Sequence, residues 1–357
     1  MIGILGGGLS GVALASFLKQ PCTVFEAEDR LGGLCRTFAK DGFSTDLGGH
    51  ILFSRDQALL ELVTAQLGEN VHTRRRKNWI AHGIRFIKWP FENGLGRLDP
   101  EERAELVLSY LEASSHIGEH VGGSFELWAV DRFGDAMARA FLIPYTEKVF
   151  KLPARELASD WVSRVPRPPV ADVVRSAMGL ETVGNAHQAE FRYPKRGGIE
   201  ALVMALGADA QKRAADGRMV FHAGCKIDQL ETIDSGWTVQ CGWNVERGKL
   251  VSTLPLAVLV DALEDVPQEV ERAARALRWN AVAVVTFCGS AIEFPITDAT
   301  AFYVADPSIP FHRVCFPRNF SDAMCPEVGW SMSCEVTMPN DAEMPVDLAI
   351  RCRDGLS

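Results

Sequence analysis

None of the nine cysteines in this sequence belongs to a CxxC pair, and their number is odd. That pattern argues against a zinc site or a disulfide frame, and it predicts reduced, mostly buried thiols. Basic charge is also short: 37 Lys and Arg face 46 Asp and Glu, for a net charge of −9. A nucleic-acid binder needs a basic face, so that class is excluded. The one dense basic run, Arg74-Arg75-Arg76-Lys77, reads as a solvated strand or loop edge. No apolar run approaches the length that spans a bilayer. Residues 2–18 are apolar, but glycines interrupt them and no basic region precedes them, so they do not read as a signal peptide. The cytoplasm is the expected location, and homo-oligomerisation is left open. The 357 residues, 47% hydrophobic and 23% charged, have an ordinary globular composition, long enough for two packed domains.

What is present gathers first in residues 2–28. An apolar run, Ile2-Gly3-Ile4-Leu5, leads into Gly6-Gly7-Gly8-Leu9-Ser10-Gly11 and then a helix-patterned segment to Lys19. A second apolar run, Cys22-Thr23-Val24-Phe25, ends in Glu26. Strand, glycine-rich turn, helix, strand and acid make a βαβ dinucleotide unit. Gly6 permits the tight turn, Gly8 lets backbone approach a pyrophosphate, and Gly11 lets helix and strand lie close. The phosphates would sit at the helix N-terminus, where Leu9 and Ser10 open the helix and unpaired N–H groups favour anions. Glu26, followed by Ala27, is placed to accept hydrogen bonds from a ribose diol.

The next residues are Arg30-Leu31-Gly32-Gly33-Leu34-Cys35-Arg36 and then Asp46-Leu47-Gly48-Gly49-His50. Here the chain resembles the flavoprotein superfamily of amine oxidases, protoporphyrinogen oxidases and UDP-galactopyranose mutases. Its members run an R-x-G-G segment along the FAD pyrophosphate and a D-x-G-G or G-G-H segment beside the flavin. The resemblance therefore implies FAD. Paired glycines remove the Cβ atoms that would block a flat ring or a phosphate. Arg36 is a candidate phosphate donor or else a solvated arginine. His50 either touches the flavin or is an ordinary loop histidine.

Further along, residues 56–67 read as a helix, and 78–81 with 84–89 as a hairpin turning at His82-Gly83. Asp99 and Pro100 start a helix whose buried stripe should be Ala104, Val107, Leu108 and Leu111. Ser124 caps the next helix, and residues 136–142 form another that ends before Pro144. Strands are expected at 219–222 and 250–253, a hairpin passes through Asp234-Ser235-Gly236, and helices follow Pro255 and Pro267. Residues 281–287, 301–304, 313–316 and 330–335 alternate as strands do. The expected fold class is α/β: a Rossmann-like FAD-binding domain with a parallel sheet, and a discontinuous substrate domain made of an antiparallel sheet and a helical insertion. The boundaries read as 1–75 and 196–278 for FAD, 76–195 and 279–340 for substrate, and 341–357 for a tail.

Two strings are similar to the middle of UDP-galactopyranose mutases: Tyr145-Thr146-Glu147-Lys148-Val149-Phe150 and Arg164-Val165-Pro166. On that resemblance Tyr145 and Arg164 are candidate substrate contacts. Pro310-Phe311-His312-Arg313 is similar to the segment in which an arginine meets the substrate diphosphate, so Arg313 is a second cationic candidate. By themselves Tyr145 reads equally as a core aromatic and Arg313 as a solvent-facing strand residue. Lys226-Ile227 lies where the family runs its backbone past the adenine, at Ile227. Phe150 and Glu92 stand where the mutases usually place tryptophan and asparagine. Family members also end in a further segment that closes the FAD sheet, and it has no counterpart after Glu335. That would leave a sheet edge open to association.

Three functions follow. The first is an FAD-dependent oxidoreductase of the amine oxidase or protoporphyrinogen oxidase type, acting on a small organic substrate with His50 near the flavin. The second is a mutase-like flavoenzyme isomerising a nucleotide-sugar whose diphosphate Arg164 and Arg313 hold. The third is a truncated flavin fold without catalysis. No metal site is expected.

Overall fold

The computed structural model describes residues 1–115, 123–165, 167–182, 189–215, 219–234, 236–241, 244–290 and 298–356. The chain forms two compact units, Met1–His72 with Arg192–Arg278, and Thr73–Phe191 with Trp279–Ser357.

In the first unit a four-stranded parallel sheet runs in the order Lys249–Ser252, Ile2–Leu5, Cys22–Phe25, Met219–His222. Ile2 stands opposite both Lys249 and Cys22. Its two central strands are apolar along their length because both sheet faces are covered, as parallel sheets require. On one face Ile4, Ala15, Val24 and Met219 are buried together; on the other Leu5 and Phe25 meet Leu230, Val239 and Ala262. The helix Leu9–Phe17 packs through Val12 against Leu202, Val203 and Leu206 of the helix Glu200–Ala215. Asp56 caps the helix Gln57–Ala65 by accepting from the Leu59 N–H at 3.0 Å. Asp56→Ala should cost about 1 kcal/mol and lower the melting temperature by roughly 2–4 °C, checked by thermal unfolding.

One sequence expectation fails here. Cys225 and Cys241 form a disulfide, while the other seven cysteines are not disulfide-bonded. The antiparallel strands Gln229–Ile233 and Gly236–Gln240 fold back on each other, bringing the residues that flank them to a Cα separation of 5.0 Å. A spacing of 16 residues carries no local signal of this. The cytoplasmic expectation loses the support it takes from nine reduced thiols. Ser235, between those strands in sequence, lies outside the described residues.

The second unit holds a six-stranded sheet in the order Asn280–Ser290, Gly329–Pro339, Arg313–Cys315, Ala301–Val304, Asn78–His82, Arg85–Lys88. Every pairing is antiparallel except that of Ala301–Val304 with Asn78–His82. Its apolar face buries Phe311, Val314, Met332, Cys334 and Val336 with Leu348 and Cys352. In the hairpin His82 pairs with Arg85, so the turn is Gly83-Ile84, one residue later than the pattern predicts. Gly83 sits at φ +55°, which a residue without Cβ adopts at no cost.

The helix Pro100–Ser115 buries Leu106 and Tyr110, while Ala104 and Leu108 face out. The predicted stripe is corrected by long-range packing. A Cβ on Gly134 would fall 2.2 Å from the Ser109 carbonyl oxygen, so another backbone lies hard against the Ser109–Tyr110 face. Tyr110 also donates to the Pro168 carbonyl at 2.5 Å. Ser124 caps the helix Phe125–Phe133 as expected. The following helical stretch does not stop before Pro144. A wider π-type turn, Ala138–Leu142, runs into the helix Ile143–Phe150, and this widening is where the chain accommodates Pro144 and its missing N–H.

Candidate functional site

The N-terminal turn is built around close backbone approaches. A Cβ on Gly11 would lie 2.0 Å from the Gly6 oxygen, and one on Gly7 would lie 2.5 Å from Leu31 Cδ2 and 2.8 Å from Glu26 Oε2. Gly6, at φ +96°, has Thr253 Oγ1 at 2.7 Å from the same construction. Gly8 is different. Its φ is an ordinary −70°, and a Cβ there would meet only Gly33 Cα, at 3.9 Å. Gly8 thus borders open space that a side chain would occupy. Gly8 precedes Leu9 and Ser10 at the start of a helix that has no side-chain cap, so the first-turn N–H groups keep donors to offer.

Glu26 follows directly on the strand Cys22–Phe25 and is buried. Its Oε2 accepts from the Gly7 N–H at 2.7 Å and its Oε1 from the Glu28 N–H at 3.0 Å. With Arg36 Nη2 also donating to Oε1 at 3.5 Å, three of a carboxylate's roughly four acceptor directions are used and about one remains for an incoming hydroxyl. Ala27 beside it is exposed. The backbone of 224–225 crosses the same point, with the Cys225 N–H donating to the Glu26 carbonyl at 2.8 Å. Ile227, two residues on, packs against the cluster of Leu5 and Phe25.

The second glycine pair lies on the first. Gly8 and Gly32 form a parallel bridge, the Gly32 N–H donates to the Gly7 carbonyl at 3.0 Å, and a Cβ on Gly33 would sit 3.1 Å from Gly8 Cα. Leu34 is 77% exposed, an apolar residue facing out beside this turn. Arg36 reaches Glu26 Oε1 and Glu28 Oε2, each at 3.5 Å, and the Arg30 carbonyl at 3.3 Å. Its Nε is buried with no hydrogen-bond partner among the described residues. A buried donor without a partner is uncommon and leaves Arg36 with hydrogen-bonding capacity that the described residues do not use. Arg30 points elsewhere: it grips both oxygens of Glu200 at 3.1 and 3.2 Å. It is a clamp inside the chain.

Gly48, at φ +96°, and His50, whose Nδ1 lies 3.2 Å from the Gly48 oxygen, follow Asp46. Asp46 accepts from Thr37 Oγ1 at 2.7 Å, the Ile199 N–H at 3.2 Å and the Tyr193 hydroxyl. Burial raises its pKa against these bonds. This knot ties the Gly48–Gly49 turn to Tyr193 and the start of the helix Glu200–Ala215. Its signal in the sequence is a lone acid before a glycine pair, matched by a Tyr-Pro run far away.

In the second unit Tyr145 and Arg313, both partly buried, belong to one polar cluster around the buried Glu335. Tyr145 stacks on Phe141 at 5.1 Å and meets Tyr303 and His312 edge-on at 5.6 and 6.3 Å. Arg313 Nε and Nη2 donate to Glu335 Oε2 at 2.9 and 2.6 Å, and Cys315 Sγ lies 3.4 Å from Glu335 Oε1. The reading of Arg313 as a solvent-facing strand residue is therefore corrected: its charge is neutralised by a buried carboxylate that the sequence pattern did not single out. Burial lowers the His312 pKa to about 4, so its ring is neutral at pH 7. Arg164 ends the short helix Asp160–Arg164, and its side chain lies outside the described residues. Glu92, noted in the sequence only as a departure from the mutase pattern, is the other residue not singled out there as a site. It sits, buried, in the wall of an aromatic cavity of ≈ 280 Å³. Its sequence signal is an acid directly after Pro90-Phe91, where the mutases usually have asparagine.

Among the described residues no helix is long and apolar enough to cross a membrane and no cluster could hold a metal ion. Of solved structures, reduced UDP-galactopyranose mutase superposes with a TM-score of 0.88 at 24% identity, over 99% of this chain and 78% of that one. A structure from Exiguobacterium sp. 255-15 assigned as a protoporphyrinogen oxidase gives 0.71 at 18% identity, over 94% and 76%. These likenesses show the fold. Coproporphyrinogen III oxidase of Staphylococcus aureus (strain NCTC 8325 / PS 47) is 36% identical over 66 residues, which is 17% of this chain and 14% of that protein. The model of the flavin containing amine oxidoreductases matches residues 9–288, most of the chain, including the helix that follows the open glycine and the acid beyond it. This chain belongs to the flavin containing amine oxidoreductase family.

Proposed function

We propose that the protein is an FAD-dependent oxidoreductase of the amine oxidase and protoporphyrinogen oxidase type, acting on a small organic substrate. The observation that carries this reading is the open space at Gly8, beside Gly33 and the uncapped helix start, together with the unpartnered Arg36 Nε and the buried Glu26. In it the N–H groups of Leu9 and Ser10 and the guanidinium of Arg36 would hold the pyrophosphate. Glu26 would accept from the ribose diol, and Ile227 would lie by the adenine. Gly48, Gly49 and His50 would face the ring system. The bound flavin supplies hydride acceptance; the chain supplies orientation and a dry surround. We assign the first unit to the cofactor and the second to the substrate.

A mutase-like reaction on a nucleotide-sugar is the second reading, favoured by the Tyr145–Arg313 cluster. It asks Arg313 to hold a diphosphate. Two of that residue's nitrogens are already engaged by Glu335, which places this reading behind the first.

The test is to extract the cofactor from purified protein and follow flavin reduction anaerobically. FAD, bleached by an amine or a porphyrinogen, is the expected result. FMN, no flavin after reconstitution, or a spectrum perturbed only by sugar nucleotides overturns the oxidoreductase reading.

A further inference from the structure

We infer that a second, polar cavity of the second unit is a binding site for a phosphate monoester. It is ≈ 440 Å³, the scale of a small-molecule site, and shares only Trp89 with the aromatic cavity. Its wall comes from the hairpin Asn78–His82 and Arg85–Lys88, the turns Phe91–Asn93 and Leu95–Arg97, and the end of the helix Val170–Ala177. The basic run singled out in the sequence ends here: Arg76 and Lys77 line the cavity together with Lys88 and Arg97. Among the described lining residues Glu181 alone is acidic. Residues 183–188, which lie outside the described residues, include no acid. In a chain of net charge −9 such a wall favours anions locally.

Part of this charge is engaged within the chain. Lys77 is paired with Asp298, and Arg76 lies over the Trp89 ring at 5.0 Å and donates to the Tyr303 hydroxyl at 3.2 Å. Lys88 and Arg97 differ: both are exposed, and neither is paired with a carboxylate among the described residues. Arg97 lies over the Trp79 ring at 4.7 Å, which steadies the guanidinium while its edge keeps donors beyond a 3.5 Å bond to the Phe86 carbonyl. Two neutral donors in the same wall are buried. Asn93 is 9% exposed, and its side chain makes no hydrogen bond among the described residues. Ser176 Oγ accepts from the Leu95 N–H at 3.2 Å, so its own hydrogen is left for another acceptor. A buried amide without a partner is costly, and a ligand oxygen removes that cost. Close backbone holds these groups in place: a Cβ on Gly96 would lie 2.8 Å from the Ser176 carbonyl oxygen, and one on Gly94 2.7 Å from the Lys88 nitrogen. Two open cations match a dianion. Donors from three elements suit a tetrahedral oxyanion, which accepts on every side, better than a planar carboxylate.

The inference does not rest on the flavin reading, because it concerns binding within one unit. Protein that binds the ester but no flavin would separate the two. The test is calorimetric titration of the full chain at low salt with phenyl phosphate, its singly charged diester methyl phenyl phosphate, and the dicarboxylate phthalate. Phenyl phosphate should bind saturably, about tenfold tighter than either of the others. Lys88→Gln and Arg97→Gln should each weaken it about tenfold. Affinity unchanged in both variants, the result expected if the phosphate went to the Gly8 turn instead, overturns the assignment. So does the absence of binding, or diester or phthalate binding as tight as that of phenyl phosphate. If Arg97→Gln does not fold, Lys88→Gln decides alone.

Discussion

At pH 8, Glu92→Gln will make the ligand-free protein more stable by on the order of 3 kcal/mol, and near pH 4 the gain will vanish. The carboxyl has a folded pKa of about 7 against an ordinary 4.5, raised by burial. Below 4.5 both folded and unfolded chains hold the proton, so the group does not affect the balance. Between 4.5 and 7 the unfolded chain has released it and the folded chain has not, so stability falls as pH rises. Above 7 the folded chain carries a buried charge, and the full penalty is present. Glutamine keeps the shape and has no proton to lose. Urea unfolding of both proteins from pH 4 to pH 8 checks this: the two curves should converge at low pH and diverge through neutrality. Parallel curves would mean that water or an unseen partner solvates the acid.

The second large effect separates two glycines three residues apart. Gly11→Ala should destabilise the first unit by about 3 kcal/mol or more, because its Cβ would lie 2.0 Å from a backbone oxygen and the helix must move. Gly8→Ala should leave the melting temperature of the flavin-free protein unchanged, since the new methyl meets only Gly33 Cα at 3.9 Å and φ is ordinary. Its effect should fall on cofactor affinity instead. A methyl in that open space would displace about two charge-assisted hydrogen bonds, roughly 100-fold in Kd. FAD titration of flavin-free protein beside thermal unfolding distinguishes the cases. If Gly8→Ala binds FAD as tightly as the wild type, the open space is not the pyrophosphate site.

How much of this could be read beforehand depends on the distance over which each feature is decided. The strand Ile2–Leu5, its glycine turn, the helix Leu9–Phe17 and the strand Cys22–Phe25 are legible because each is fixed by neighbours within one supersecondary unit. The alternating runs of the six-stranded sheet are legible for the same reason, since a period of two is local. The buried stripe of Pro100–Ser115 is not. Apolar side chains flank both faces, and Gly134 and Pro168 decide which is covered. Pro144 reads as a helix stop, and only the wider turn before it shows how the helix survives. Arg30 and Arg36 look alike in the chain, yet one finds Glu200 and the other keeps an open nitrogen.

By itself the sequence determined that the chain is an α/β protein opening with a glycine-turn nucleotide unit, because spacing and residue size act over a few residues. The tertiary structure alone decided which side chains are satisfied from within: Arg313 by Glu335, Arg30 by Glu200, Cys225 by Cys241 through a covalent bond, and Glu92 by its own backbone N–H alone among the described residues. The physical reason is that a charge or a thiol interacts with whatever lies within a few ångströms, and most of those neighbours come from distant parts of the chain.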